Sequence, residues 1–158
     1  MIITKRLSQA TELWLHGKGY STDNLDDKAN NGATALIVAS REGAISVVRD
    51  LLDSDIDINL TNNDGNNALW FACFKNDLTL MKLLIDAGIE FDNQNDNGVT
   101  VLMYAASSEK VDAVKLLLAA GANPDLKNLD DFGAFEFSST VEILRILRQA
   151  VGQVASIY

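Results

Sequence analysis

Hydrophobic and polar positions recur along this chain with a period of 33 residues, in three blocks that begin at Gly32, Gly65 and Gly98. Each block has a short apolar segment, a polar break, and a second segment with apolar residues at i, i+1, i+4 and i+5, which form one stripe along a helix. Each block is therefore predicted to fold as helix, turn, helix and a long hairpin-like loop. The stripes are Val47, Val48, Leu51 and Leu52, then Leu80, Met81, Leu84 and Ile85, then Ala113, Val114, Leu117 and Leu118.

The segments after these stripes carry residues that suit the end of a helix. Gly88 and Gly121 stand where a left-handed C-cap is expected, and Asp55 has this place in the first block. A stretch rich in Asn and Asp then closes each block, which predicts a turn. A single block cannot bury its stripe alone, but stacked blocks share one interior. The pattern thus indicates a stack of short helical units.

Two motifs in these blocks resemble the ankyrin repeat. The segments "GATALIVAS", "NNALWFAC" and "VTVLMYAAS" resemble its G-x-T-P-L-H-x-A-A opening. The segments "VVRDLLDSDIDIN", "LMKLLIDAGIEFD" and "AVKLLLAAGANPD" resemble its V-V-x-L-L-x-x-G-A-D-V-N ending. The resemblance covers roughly residues 26–150. It implies an all-α ankyrin-repeat solenoid of helix-turn-helix units with connecting hairpin loops.

We expect residues 1–158 to form a single ankyrin-repeat domain with divergent ends, because a terminal repeat has one face toward water. The N-terminal cap is predicted at 1–31, with an outer-type helix over Leu7 to Leu15. The C-terminal cap is predicted at 131–150, with Phe135 at the Leu36 position and a second helix over Val141 to Leu147. The full repeats are 32–64, 65–97 and 98–130, and 151–158 is a tail.

The resemblance also implies a concave surface of inner helices and hairpin tips that binds a partner protein. Within "GNNALWFACFKN", it places Leu69, Ala72 and Cys73 in the core, and Trp70 where the family has a His. The aromatic residues Phe71, Phe74 and Tyr104 either pack between inner helices or contact a partner, since aromatics are enriched at interface hot spots. The candidate partner-binding residues are Arg41, Glu42, Asn63, Asp64, Phe71, Phe74, Lys75, Asp96, Tyr104 and Ser107.

The hairpin tips and the charge add a weaker indication of the partner. The tips at 28–31, 61–64, 94–97 and 127–130 are rich in Asn and Asp, which suit tight turns but also offer hydrogen bonds to a partner. The net charge of −9 disfavours binding to nucleic acid or to an anionic membrane, and favours a basic partner surface. Acidic residues are concentrated in 32–97, although solvated outer faces would give the same count.

The sequence contains little that could support catalysis or metal binding. It has one cysteine, Cys73, and one histidine, His16, so no zinc set of ordinary spacing exists. Cys73 takes a core position and is expected to be a buried apolar residue rather than a nucleophile. The segments "GKGYS" and "DNQNDNG" lack the spacing of a phosphate loop and of a calcium loop. We therefore expect no catalytic, cofactor or metal site.

These observations lead to a predicted function with several alternatives. We expect a cytoplasmic protein-interaction module that acts as an adaptor or inhibitor, since no secretion signal or membrane span is evident. A narrower alternative is an acidic immunity-type or chaperone-like protein dedicated to one enzyme or toxin. The competing class is a hydrolase that uses Cys73 or the cluster around Asp53. A solenoid without any partner is a third class, which the irregular residues Arg41, Phe74 and Ser107 disfavour.

Overall fold

The computed structural model describes residues 6–155, and the regular elements in that range are all α-helices. The chain forms two compact units, residues 1–89 and 90–158. The first unit holds α1 (Gln9–Gly17), α2 (Ala35–Glu42), α3 (Ile45–Leu52), α4 (Ala68–Phe74) and α5 (Leu78–Asp86). The second unit holds α6 (Val101–Ser107), α7 (Val111–Ala120), α8 (Ala134–Phe137) and α9 (Val141–Ala155). The predicted all-α fold of helix-turn-helix units is confirmed.

The core of the first unit lies between two helix pairs. Helix α2 packs on α3 and α4 packs on α5, while α2 and α4 lie side by side. Every residue of α2 from Ala35 to Ser40 is buried, because this inner helix is covered by both neighbours. The predicted stripe is also confirmed, since Val48, Leu51, Leu80 and Leu84 are fully buried. Helix α1 packs against α3 and covers the open end of this stack.

Each inner helix of the three full repeats begins at a small polar residue that caps it. The hydroxyl of Thr34 accepts a hydrogen bond from the N–H of Ile37, and the Asn67 side chain accepts one from the N–H of Trp70. Both capping residues are buried, so they satisfy a helix N–H that water cannot reach. Thr100 caps α6 of the second unit in the same way. These caps explain why the repeat motif requires a small polar residue here.

The ends of the outer helices only partly match the prediction. Gly88 and Gly121 have φ of 90° and 102°, so both adopt the expected left-handed conformation. The prediction for Asp55 is wrong, because α3 ends at Leu52 and Asp55 has no positive φ. Here the hydroxyl of Ser54 donates to the carbonyl of Asp50 at 2.8 Å. The side chain thus satisfies a terminal carbonyl, and no left-handed residue is needed.

Helix α1 begins two residues later than the predicted Leu7 to Leu15 segment. The hydroxyl of Ser8 accepts a hydrogen bond from the N–H of Thr11 at 3.3 Å, so Ser8 is the N-cap and Leu7 precedes the helix. The side chains of Ser8 and Thr11 also donate to the carboxylate of Asp50. These contacts fasten the first helix to α3, which is consistent with an outer-type position.

The second unit repeats the inner and outer arrangement and ends in a shortened pair. Helix α6 packs on α7 and α8, and α9 packs on α7 and α8. Helix α8 has four residues, with Phe135 in the second place as Leu36 has in α2. Helix α9 begins at Val141 as predicted, but it continues through Ala155 and includes much of the predicted tail. Residues 156–158 of that tail lie outside the described range.

Four hairpins with the same backbone bonds separate the helix pairs. In each hairpin, an N–H donates to the carbonyl four residues later, at 2.8 to 3.1 Å. Neighbouring hairpins within a unit are joined as well, because the N–H of Asn63 donates to the carbonyl of Asn31 and that of Leu129 to Asn97. The four donors within the hairpins are Ala29, Asn62, Asn95 and Asn128.

Candidate protein-binding surface

In the first unit, the C-terminal ends of the two inner helices form an exposed surface. We call Arg41, Glu42, Phe74 and Lys75 the helix-end surface, and all four are exposed. The ends lie together, because a Cβ on Gly43 would come within 2.5 Å of the Lys75 Cε. Sequence reasoning assigned all four residues to one site, and the structure brings them to one edge of this unit.

The aromatic stretch of α4 is divided between the core and the surface. Leu69, Ala72 and Cys73 are fully buried, as the resemblance implied. Trp70 and Phe71 are half-buried, and Phe74 is 63% exposed. The helix therefore presents its last aromatic ring to solvent, while its preceding residues fasten it to the core.

The charges on the helix-end surface are partly compensated within the fold. The Lys18 ammonium forms an ion pair with the carboxylate of Glu42 and lies 5.8 Å from the centre of the Trp14 ring. The guanidinium of Arg41 acts electrostatically on Tyr20. Burial raises the pKa of the Tyr20 hydroxyl above its ordinary value, and the positive charge of Arg41 offsets part of that rise. Glu42 thus has a partner within the fold.

The predicted hairpin residues of the first unit differ in their surroundings. Asn63 is exposed, but its side-chain amide donates to the carbonyl of Asn30 at 3.1 Å, and its backbone N–H is also bonded to the neighbouring hairpin. Asp64 is exposed and accepts a hydrogen bond from the Asn62 amide at 3.2 Å. Asn63 therefore connects two hairpins whatever else it contacts.

The other three predicted residues belong to the second unit. Asp96 is exposed in a hairpin, Tyr104 is half-buried on α6, and Ser107 is exposed at the end of that helix. The hydroxyl of Ser107 donates to the carbonyl of Tyr104 at 2.9 Å. Tyr104 and Ser107 therefore lie one helical turn apart at the C-terminal end of α6.

Sequence reasoning did not select two exposed apolar residues of the second unit. Leu129 is 78% exposed in the fourth hairpin, and Phe132 nearby is half exposed. The signal was present in the repeat alignment, because Leu129 corresponds to Asn30, Asn63 and Asp96 in the other hairpins. Because the equivalent position is polar in the other three hairpins, an exposed Leu here marks a feature that is particular to this hairpin.

The structure also places the residues that could take part in catalysis, metal binding or phosphate binding. Cys73 is fully buried and forms no disulfide, so its predicted core position is confirmed. Within residues 6–155, no group of three His, Cys, Asp or Glu side chains could hold a metal ion. The "GKGYS" segment follows the C-terminal end of α1, whereas phosphate loops precede the N-terminus of a helix.

The fold and this surface define a class, the all-α repeat proteins built from helix-turn-helix units. Residues 36–128 match a family model described as "Ankyrin repeats (3 copies)", which covers more than half of the chain. The chain therefore belongs to the ankyrin repeat family, and the resemblance seen in the sequence is confirmed. No curated protein matches the chain.

The general function of this family is known. Ankyrin repeats are protein–protein interaction modules and are typically non-catalytic. In the portion of the chain that the structure describes, no helix combines the length and apolar character needed to cross a membrane.

Proposed function

We propose that this chain binds a partner protein through the helix-end surface and the adjoining hairpin tips, and that it acts as an adaptor or inhibitor. The observation that carries the proposal is Phe74, an aromatic ring 63% exposed at the end of a helix whose preceding residues are buried. Aromatic side chains are frequent binding hot spots. Because α4 is packed on α2 and α5, the backbone that carries the ring is held in place before binding, which lowers the ordering cost of the complex.

The charge distribution supports a basic partner surface. The net charge of −9 raises the association rate with a basic protein through long-range attraction. Asp53, Asp55 and Asp57 are exposed beyond the end of α3. This long-range field supports the narrower form of the proposal, an acidic immunity-type or chaperone-like protein dedicated to one enzyme or toxin.

We also propose that the protein acts without catalysis and is located in the cytoplasm. Cys73 is fully buried, which opposes a role as nucleophile, and its reduced thiol is compatible with a reducing compartment. Alkylation of the folded chain tests this part. We expect the thiol to react only after unfolding by denaturant, whereas rapid labelling of the native protein at neutral pH would revive the hydrolase alternative.

Capture of a partner from native lysate, followed by binding measurements with the purified partner, tests the surface. We expect Phe74→Ala to weaken binding about tenfold or more. Lys75→Glu should instead strengthen binding to a basic partner surface, because it replaces a repelling charge with an attracting one. Leu13→Ala is a matched control for Phe74→Ala because Leu13 is 65% exposed on α1. Lys82→Glu on the outer helix α5 is the control for charge reversal. Binding that neither change at the helix-end surface alters would place the site elsewhere.

A further inference from the structure

The fourth hairpin, residues 127–132, presents an apolar tip where the other hairpins are polar. Leu129 is 78% exposed, and it takes the position of Asn30, Asn63 and Asp96. Phe132 is 50% exposed three residues later. We call Leu129, Asp130, Asp131 and Phe132 the apolar tip. Leu129 and Phe132 are thus two large apolar side chains exposed on one short hairpin, where water solvates them poorly.

The backbone of the apolar tip is firmly held. The N–H of Leu129 donates to the carbonyl of Asn97 at 3.1 Å, which fastens the tip to the preceding hairpin. The side-chain oxygen of Asn128 accepts hydrogen bonds from the N–H groups of Asp130 and Phe132, at 3.0 and 2.8 Å. The Phe132 ring also packs edge-on against Phe137, with centroids 6.3 Å apart. The Leu129 side chain is thus presented from a backbone that needs little ordering on binding.

The tip also carries two carboxylates with no internal counter-ion. Asp130 and Asp131 are both exposed, and among residues 6–155 no basic side chain pairs with either of them. The basic residue of the hairpin, Lys127, is instead paired with Glu136 at 3.1 Å. Asp131 has φ of 64° at the position that Gly32, Gly65 and Gly98 occupy, so this hairpin alone among the four carries a charged side chain there.

We infer that the apolar tip inserts Leu129 and Phe132 into an apolar pocket of a partner protein whose rim carries Lys or Arg side chains that meet Asp130 and Asp131. The inference rests on the proposed function, since it takes the chain to bind a protein, but it assigns a distinct surface in the second unit. Apolar burial would supply the affinity, while the flanking acids would select a basic rim and exclude an acidic one.

The experiment begins with a photoreactive diazirine side chain placed at position 129 of the full chain. Irradiation in native lysate labels the protein in contact with the tip, and the labelled peptide locates the pocket. The captured protein is then purified, and its affinity for the wild-type chain is measured. A labelled site without Lys or Arg nearby, or one bordered by acidic residues, would overturn the inference.

Variants of the tip provide the second part of the test. Leu129→Asn installs the residue that two other hairpins carry, so the fold is expected to persist, which thermal unfolding checks. We expect it to weaken binding of the captured partner about tenfold or more, since a buried Leu contributes that much. The double change Asp130→Asn and Asp131→Asn should flatten the dependence of affinity on salt. Leu13→Asn is the control and should leave both properties unchanged.

The outcomes separate this inference from the proposed function. Binding lost in Phe74→Ala but retained in Leu129→Asn would overturn the apolar tip and leave the protein-binding function intact. A full chain that binds no protein saturably would overturn both. Self-association that Leu129→Asn abolishes would show the occupant to be a second copy, and would overturn the assignment of a basic partner.

Discussion

The carboxylate of Asp92 accepts a hydrogen bond from the backbone N–H of Asn123, 31 residues further along the chain, at 2.9 Å. Asp26 makes the same contact with the N–H of Asp57 at 3.0 Å, across the same number of residues. A side chain before one helix pair therefore fastens the loop that follows it. Because repeat proteins are stabilised mainly by contacts between neighbours, such a bond contributes directly to the coupling of adjacent repeats.

Replacing Asp92 by Ala is expected to lower the free energy of unfolding by about 1 kcal/mol, since the bond is charge-assisted but exposed. Urea unfolding monitored by circular dichroism measures the change. Asp96→Ala is the control, because Asp96 is an exposed acid in the next hairpin. Equal effects of the two substitutions would show that loss of charge, and not loss of the bond to Asn123, determines stability.

Two left-handed glycines should respond differently to alanine, although both have positive φ. At Gly32, with φ of 77°, a Cβ would lie 2.7 Å from the backbone nitrogen of Asn63. At Gly88, with φ of 90°, a Cβ would meet no atom within 4 Å. Gly88→Ala is therefore expected to cost about 1 kcal/mol of backbone strain. Gly32→Ala adds a clash between hairpins, and we expect a cost of about 2 to 4 kcal/mol.

Thermal or urea unfolding of the two glycine variants checks this difference. Equal destabilisation would mean that the backbone conformation alone accounts for Gly32, and that the hairpins separate enough to admit a methyl group. The comparison also tests the stacking of neighbouring hairpins, because the clash arises only if the hairpins approach as closely as the Asn63 to Asn31 bond requires.

Tyr20 should make stability depend on alkaline pH. Its hydroxyl is buried and donates to the carbonyl of Ala33 at 2.7 Å, and burial raises its pKa above the ordinary value of 10.0. The folded chain then retains this proton more firmly than the unfolded chain. Stability is therefore complete below about pH 10 and falls as pH rises through the unfolded and then the folded pKa.

The measurement compares wild type with Tyr20→Phe in urea unfolding from pH 8 to pH 11. At pH 8 we expect the variant to be less stable by about 1 kcal/mol, because the hydrogen bond to Ala33 is lost. The difference should shrink above pH 10, where wild type alone pays for ionising this hydroxyl. Parallel curves over the whole range would contradict an effect of Tyr20 ionisation.

The repeated pattern was sufficient to predict the helices and most of the core. A stripe at Val47, Val48 and Leu51 predicts a buried helix face because side-chain positions within one helix follow from spacing alone. The resemblance to the ankyrin repeat placed Cys73 in the core and Phe74 outside it, and both are observed. Local periodicity thus predicted the buried stripes of the outer helices, and the resemblance to the family predicted the buried residues of α4.

The remaining features depend on contacts between repeats or on competing local bonds. Asp55 was expected to be left-handed, but the Ser54 hydroxyl satisfies the end of α3 instead. Asn63 was selected only as a binding residue. Its bond to Asn30 forms only when two hairpins stack, so the sequence of a single hairpin does not reveal it. The site itself was predictable only as far as exposure, because the identity of a partner is not encoded in helical spacing.

Ser40 is a buried polar residue at a position that is small in each of the three full repeats, and this leads to a prediction about stability. It is fully buried on α2, and in the described part of the chain its hydroxyl has no hydrogen-bond partner. The equivalent residues one and two repeats later are Cys73 and Ala106, both small and fully buried. The position thus accepts a small apolar group, and a buried unsatisfied hydroxyl is costly.

Ser40→Ala is therefore expected to raise the free energy of unfolding by about 1 kcal/mol, measured by urea unfolding at neutral pH. Ser40→Val tests the space at the same position, and we expect it to destabilise the protein because every residue of α2 from Ala35 to Ser40 is buried. Destabilisation by Ser40→Ala would show that the hydroxyl is satisfied by buried water, since removal of its partner would then cost free energy.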